Sequence, residues 1–310
     1  MFSYYKVKKL GEGTYANIYM GYQTKYIGDK FIKEQPDSID RIVAIKKIKK
    51  QEHSSGQEVS AIREIKSLKM IKNSYVIEMI ETFSYKNSLY IILEYINHDL
   101  EKIIRNKNII IMPGDIKSWL FMLLSGLKAC HDEYFVHRDL KPNNLLICSD
   151  GTLKLADFGL TRFISDKMTP YAISRWYRPP ELLIGQKHYS FKADMWSIGV
   201  IFAEMLLRVP LFAADTDFKQ LELICKTLGT PKDSQYQNLD LVGFTLPNYP
   251  PVNLKKIFIA ATDDALDLLK GLLEFNPNDR LSVESALNHK YFKNSPPATR
   301  PNNFTFLSMI

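Results

Sequence analysis

Cysteine is scarce: Cys130, Cys148 and Cys225 are odd in number, far apart and without a CxxC pair. That pattern excludes a disulfide framework and a thiolate zinc site, and it fits a reducing compartment. Long apolar runs are also missing. The most apolar stretch, residues 196–203, stops at Glu204 and is far too short to span a bilayer. The first ten residues carry three lysines and no uninterrupted apolar core, so they do not read as a secretory signal. No membrane association is expected. Internal repeats are not evident, and basic residues are not interleaved with aromatics as in a base-stacking platform. The net charge of +7 comes almost wholly from the first 50 residues, which hold eleven Lys and Arg against five Asp and Glu. This imbalance reads as a solvated surface, and direct nucleic-acid binding is not expected.

What is present suffices for a folded body. At 310 residues with 45% hydrophobic content, the chain can bury one large core or two unequal ones. β-Branched and aromatic runs at residues 5–10, 18–22, 42–45 and 89–93 predict strands. Between the last two, Ala61, Ile62, Ile65, Leu68 and Ile71 recur at helical spacing and predict one helix packed on the sheet. After Glu94 the pattern changes to long helices, with Trp119, Leu120, Leu123, Leu124 and Leu127, then Trp196, Ile198, Val200, Ile201 and Met205. Residues 95–99 then join a small lobe to a larger one, and clefts between lobes are common ligand sites. Residues 23–40 are polar and irregular and read as a slack loop rather than a docking surface.

Three clusters carry chemistry. Gly11-Glu12-Gly13-Thr14-Tyr15-Ala16 sits between two predicted strands, where glycine lets backbone amides approach a phosphate. Ala16 breaks a strict GxGxxG, so the turn alone is weak evidence. Val43-Ala44-Ile45-Lys46 ends a strand with an ammonium, and Glu64 on the helix is the carboxylate that can orient it. His137-Arg138-Asp139-Leu140-Lys141-Pro142-Asn143-Asn144 is followed, 18 residues after Asp139, by Asp157-Phe158-Gly159. Together they offer a base, a cation and two oxygen ligands suited to a hard metal.

These motifs resemble the protein kinase family. Within it, Val59-Ser60-Ala61-Ile62-Arg63-Glu64 resembles the cyclin-binding helix of cyclin-dependent kinases, and Trp176-Tyr177-Arg178-Pro179-Pro180-Glu181 resembles the end of their activation segment. Ala16, Asn143, Ser174-Arg175-Trp176, Leu207-Arg208-Val209-Pro210, residues 260–264 and the tail from Tyr291 resemble the CDK-activating branch. The resemblance implies an α+β, bilobal kinase fold over residues 4–292. Its small β-sheet lobe spans 4–94, the hinge 95–99 and the mainly helical lobe 100–292, with a tail at 293–310.

It also implies ATP and Mg2+ as cofactors. Asp139, Lys141 and Asn144 would be catalytic, and Asn144 and Asp157 metal ligands. The nucleotide would be held by Leu10, Gly11, Glu12, Gly13, Thr14, Tyr15, Ala16, Asn17 and Ile18, by Ala44, Lys46 and Glu64, and by Leu93, Glu94, Ile96, Asp99 and Leu146. Leu93 stands where the rear of the adenine pocket is gated, and is smaller than the usual aromatic. Thr169 would be the activation-loop phosphosite, clamped by Arg63, Arg138 and Arg162, while Thr14 and Tyr15 could take inhibitory phosphates. His137 and Phe158 would pack with Leu68 and Met79. Glu181 with Arg280, and Asp194 beneath the His137 loop, would be structural anchors.

The implied partners are a cyclin, of H type, an assembly factor, general transcription factor IIH and protein substrates. The implied compartment is the nucleus, with the cytoplasm second. The expected activity is transfer of the ATP γ-phosphate to Ser or Thr in RNA polymerase II repeats and in other CDK activation loops. The rival readings are a cell-cycle kinase acting on Ser/Thr-Pro sites and, from another class, an inactive cyclin-binding scaffold.

Overall fold

The computed structural model describes residues 2–12, 16–26, 28–49, 55–165, 173–188, 190–231 and 247–307, and the side chains of residues 55–58 are not described. Five strands form one antiparallel sheet in the order β1-β2-β3-β5-β4: β1 (Phe2–Glu12), β2 (Ala16–Lys25), β3 (Arg41–Ile48), β4 (Met79–Tyr85) and β5 (Ser88–Glu94). The helix α1 (Ser55–Met70) lies between β3 and β4 in sequence. The strand β4, with half-buried residues through most of its length and little β-branched content, left no clear period-2 signal.

Alternation along β3 sends its side chains to two different cores. Val43 and Ile45 join Tyr4, Tyr90 and Ile92 on one face; Ile48 joins Ala16, Ala61 and Ile91 against α1 on the other. Ala61 and Leu68 of α1 are buried, but Ile62 is 59% exposed and Val59 40% exposed. The predicted inward stripe therefore holds except at Ile62, which points away from the sheet.

Residues 23–40 correct the expectation of a slack loop. Gln23, Thr24 and Lys25 continue β2, and Lys30 to Ile32 lie along β1, where Tyr4 N–H donates to the Lys30 carbonyl at 2.8 Å and Ile32 N–H to the Tyr4 carbonyl at 3.1 Å. The Phe31 ring then sits 4.7 Å from Tyr90 and 5.2 Å from Tyr85, covering the outer face of the sheet. Lys6 Nζ lies 4.5 Å from the Phe31 centroid and 4.9 Å from those of Tyr19 and Tyr90, a cation–π setting that keeps its stem over aromatic surface. The insertion closes a face that would otherwise expose an aromatic patch.

After Glu94, residues 95–97 lead into the short strand β6 (His98–Asp99) and α2 (Leu100–Arg105), whose first turn is capped by Asp99 accepting from Lys102 N–H at 2.9 Å. The long helix α3 (Pro113–Asp132) buries Trp119, Leu120, Leu123, Leu124 and Leu127. The short strands β7 (Phe135–Val136), β8 (Leu145–Ile147), β9 (Leu153–Leu155) and β10 (Arg162–Phe163) and the short helix α4 (Pro180–Leu183) follow, and α5 (Lys192–Leu207) is buried on almost every side from Ala193 to Met205. A helix apolar all round belongs at the centre of its lobe, and Trp196, Ile198, Val200 and Ile201 all lie in the large core. Residues 293–307 pack back onto this lobe: the Lys117 ammonium donates to the Asn294 and Pro296 carbonyls at 2.6 Å, and Phe304 stacks on Trp119 with centroids 5.5 Å apart. Among the described residues, no helix is long and apolar enough to cross a membrane.

Candidate active site

The strand β3 delivers Lys46 and α1 delivers Glu64 to the space between the lobes. Lys46 Nζ donates to both Glu64 carboxylate oxygens at 2.8 and 2.7 Å, and lies 3.3 Å from Asp157 Oδ1. Burial pulls the Lys46 pKa down, but the charges of Glu64 and Asp157 outweigh it and hold the ammonium above the ordinary lysine range. The same lysine charge, opposed by burial, holds Asp157 below the usual carboxylate range. Asp157 has a left-handed backbone with φ 59°, which ends the extended run of β9 (Leu153–Leu155) and turns its carboxylate toward Lys46.

The loop after β7 (Phe135–Val136) carries the second cluster. Asp139 Oδ2 accepts from Lys141 Nζ at 2.8 Å and from Asn144 Nδ2 at 2.9 Å, while Oδ1 accepts from Ser174 Oγ at 3.0 Å. Asn144 Nδ2 also donates to the Asp139 carbonyl at 2.8 Å, so Oδ1 is the atom Asn144 has left to offer toward the cleft. The loop is held from below: Asp194 accepts from the His137 and Arg138 backbone N–H groups at 2.9 Å each, and pairs with His131 Nε2 at 3.0 Å. Arg138 adopts φ 67° there, a strained position for a residue with a Cβ. His137 is fully buried, and burial lowers its pKa, so the ring is neutral. Its Nδ1 accepts from Asp139 N–H and its Nε2–H faces the Ala156 carbonyl at 3.2 Å, with Phe158 edge-on at 4.9 Å.

A cavity of about 380 Å³ opens between the lobes. Its walls include Leu10, Gly11, Ile18, Ala44, Lys46, Glu64, Leu93, Glu94, Ile96, Asp99, Asn144, Leu146 and Asp157 of the expected residues. Tyr95, Asn97 and His98, from the segment expected to join the lobes above the nucleotide, line it too, and so do Ile77, Lys102, Asn143 and Ala156, which the sequence does not mark as nucleotide contacts. Three expected residues lie elsewhere. Glu12 faces solvent between Lys9 and Lys49, the Ala16 methyl packs with Ile48, Ala61 and Ile91, and Asn17 does not line the cavity. Alternation along β2 accounts for Asn17, which falls on the face opposite its neighbours Ala16 and Ile18. Gly13, Thr14, Tyr15 and Thr169 lie outside the described residues.

Comparison with known proteins agrees with this geometry. The family model "Protein kinase domain" matches residues 4–292. The chain is 50% identical over 305 residues to the probable serine/threonine-protein kinase KIN28 homolog of Encephalitozoon cuniculi, covering 96% of this chain and 98% of that protein. It is 42% identical to the serine/threonine-protein kinase KIN28 of Saccharomyces cerevisiae, covering 97% and 96%. The chain is a protein kinase of the KIN28 and cyclin-dependent kinase 7 family. A solved structure of the CAK complex from Chaetomium thermophilum bound to ATP-γ-S aligns with a TM-score of 0.85 and 38% identity, over 97% of this kinase and 94% of that chain.

In this kinase, Arg63, Arg138 and Arg162 come together from α1, the Asp139 loop and β10 (Arg162–Phe163). Burial lowers the Arg63 pKa first, and the neighbouring charges of Arg162 and Arg138 lower it further. Glu181 and Arg280 form a fork at 2.9 and 3.1 Å with both side chains at or below 1% exposure. In the sequence Ser174 stands out only as part of the Ser174-Arg175-Trp176 run. A hydroxyl on a segment that passes Asp139 leaves no periodic or charged signature, so only the fold reveals its bond to the carboxylate.

Proposed function

We propose that this serine/threonine kinase is the catalytic subunit of a CDK-activating assembly. It would transfer the ATP γ-phosphate to Ser or Thr of RNA polymerase II C-terminal repeats and of other CDK activation loops. The observation that carries the phosphotransfer is the convergence of Lys46, Glu64 and Asp157 on one wall of a cleft with Asn144, next to Asp139 and Lys141. Lys46 would hold the α- and β-phosphates, with Glu64 keeping its ammonium aimed. Asp139 would orient the substrate hydroxyl and accept its proton, and Lys141 would neutralise charge that builds on the transferred group.

An ionised Asp157 and the Asn144 amide oxygen form a hard-oxygen pair that fits magnesium. When bound, magnesium would supply charge neutralisation across the β- and γ-phosphates. Everything else falls to the chain: Asn144 also braces Asp139, and Asp194 holds the loop that bears it.

The exposed Ile62 and Val59 on α1 support a cyclin, of H type, docked on that helix, since an apolar pair facing outward favours a partner surface. The trio Arg63, Arg138 and Arg162 supports phosphate docking from Thr169, with an assembly factor as the other means of ordering that segment. We place the enzyme in the nucleus, within transcription factor IIH. Phosphotransfer assays with the purified kinase, with and without an H-type cyclin, test this reading; substrate labelling independent of any cyclin contradicts it.

A further inference from the structure

The helix α1 touches the Asp157 loop at two points one turn apart. Glu64 reaches it through Lys46, whose Nζ lies 3.3 Å from Asp157 Oδ1. Four residues earlier, on the same face, Ser60 Oγ donates directly to the Gly159 carbonyl at 2.8 Å. The approach is close enough that a Cβ at Gly159 would meet Ser60 Oγ at 2.8 Å and Asp157 Oδ1 at 3.4 Å. A side chain at this position would have to displace the Ser60 hydroxyl, which a glycine does not.

A single attachment at Glu64 leaves the helix able to pivot about the Lys46 ammonium. Two attachments on one face set its rotation as well as its distance. The second also closes a ring, running from Ser60 to Gly159, back along the chain to Asp157, across to Lys46 and Glu64, and up one helical turn to Ser60. Because Ile62 and Val59 face outward beside Ser60, a force applied to that outer surface reaches the Gly159 carbonyl without passing through the ion pair.

We infer that Ser60 is a positioning residue for phosphoryl transfer: its hydroxyl fixes the Asp157-Phe158-Gly159 turn to α1 and so transmits the placement of α1 to Asp157. The inference rests on the reading of Asp157 as a metal ligand for its effect on rate, but not for its effect on the turn. Ser60 takes no part in binding adenine or phosphate, since it does not line the cavity.

The test compares Ser60→Ala and Ser60→Thr with the unaltered kinase. In the first measurement, amide exchange is followed in the nucleotide-free chain at Thr161, whose N–H donates to the Phe158 carbonyl at 3.1 Å and closes the turn. Loss of one neutral hydrogen bond corresponds to about fivefold faster exchange in Ser60→Ala, with core amides of α5 unchanged and Ser60→Thr restored to the original rate. In the second, with cyclin present, kcat falls by a similar factor in Ser60→Ala while KM for ATP stays put, and Ser60→Thr recovers it. Unaltered Thr161 exchange in Ser60→Ala overturns the inference, as does an unaltered kcat. If the unaltered kinase transfers no phosphate, the functional reading fails and the exchange result alone decides the role of Ser60.

Discussion

Lys46 Nζ bonds both carboxylate oxygens of Glu64, at 2.8 and 2.7 Å. The pair ties β3 to α1, so the placement of that helix sets where the phosphate-facing ammonium is aimed.

Removing Lys46 strands Glu64, whose side chain is only 3% exposed. Lys46→Met is expected to destabilise the nucleotide-free kinase by about 3 kcal/mol at neutral pH. Burial raises the Glu64 pKa, and Lys46 is the main group opposing that rise. Without the lysine, folded Glu64 holds its proton above the ordinary value of 4.5. The variant is then least penalised near or below pH 4.5, and the penalty grows as pH rises through the folded pKa. In the unaltered kinase, Lys46 has a raised folded pKa, so its contribution is full below 10.5 and is lost only as pH rises through that raised value. Urea titrations of both proteins from pH 5 to 9 check the widening gap.

Glu181→Gln breaks the Glu181–Arg280 fork inside the large lobe and leaves a buried guanidinium short of its counter-charge. The expected loss is about 3 kcal/mol, or roughly 6–12 °C in melting temperature. Calorimetry reads it directly, and activity should disappear only as the fold does.

Phe31→Ala uncovers the outer face of the sheet beside Tyr85 and Tyr90. Phe31 is half-buried, so about 1–3 kcal/mol of stability should be lost. Phosphotransfer at a temperature where the variant remains folded should be unchanged. A variant as stable as the parent would restore the slack-loop view of residues 28–40.

Leu93 lines the cleft on β5 and is paired in register with Ala44 on β3. Leu93→Phe should narrow that wall and weaken ATP-competitive inhibitors that fill it by about tenfold or more, with a much smaller change in KM for ATP. Parallel inhibition curves for the two proteins would contradict this.

The large features of this fold were legible because their signals are periodic. Val43 and Ile45 alternate with Ala44 and Lys46, and Trp119 to Leu127 repeat at helical spacing, so sheet and helix follow from the residues. The chemistry was legible because Asp139, Lys141, Asn144 and Asp157 stand in short motifs of fixed spacing. What escaped depended on the other side of a contact. Ile62 fits the apolar stripe of α1 yet faces outward, and the 23–40 segment looks polar although Phe31 alone covers a sheet face. Ser60 and Ser174 bond to groups 99 and 35 residues away, which no local pattern encodes.

Phosphate transfer from labelled ATP to a polymerase heptad peptide and to an inactive cell-cycle kinase, with and without an H-type cyclin, tests the activating-kinase assignment most directly. Asp139→Asn serves as control and should cost on the order of 10²–10⁴ in kcat with ATP binding retained. An activating kinase labels both substrates only with cyclin present, and the label is lost in the control. Labelling of a histone-type proline-directed substrate in their place would contradict the activating-kinase assignment, and no transfer to any substrate with any cyclin would contradict the enzyme itself.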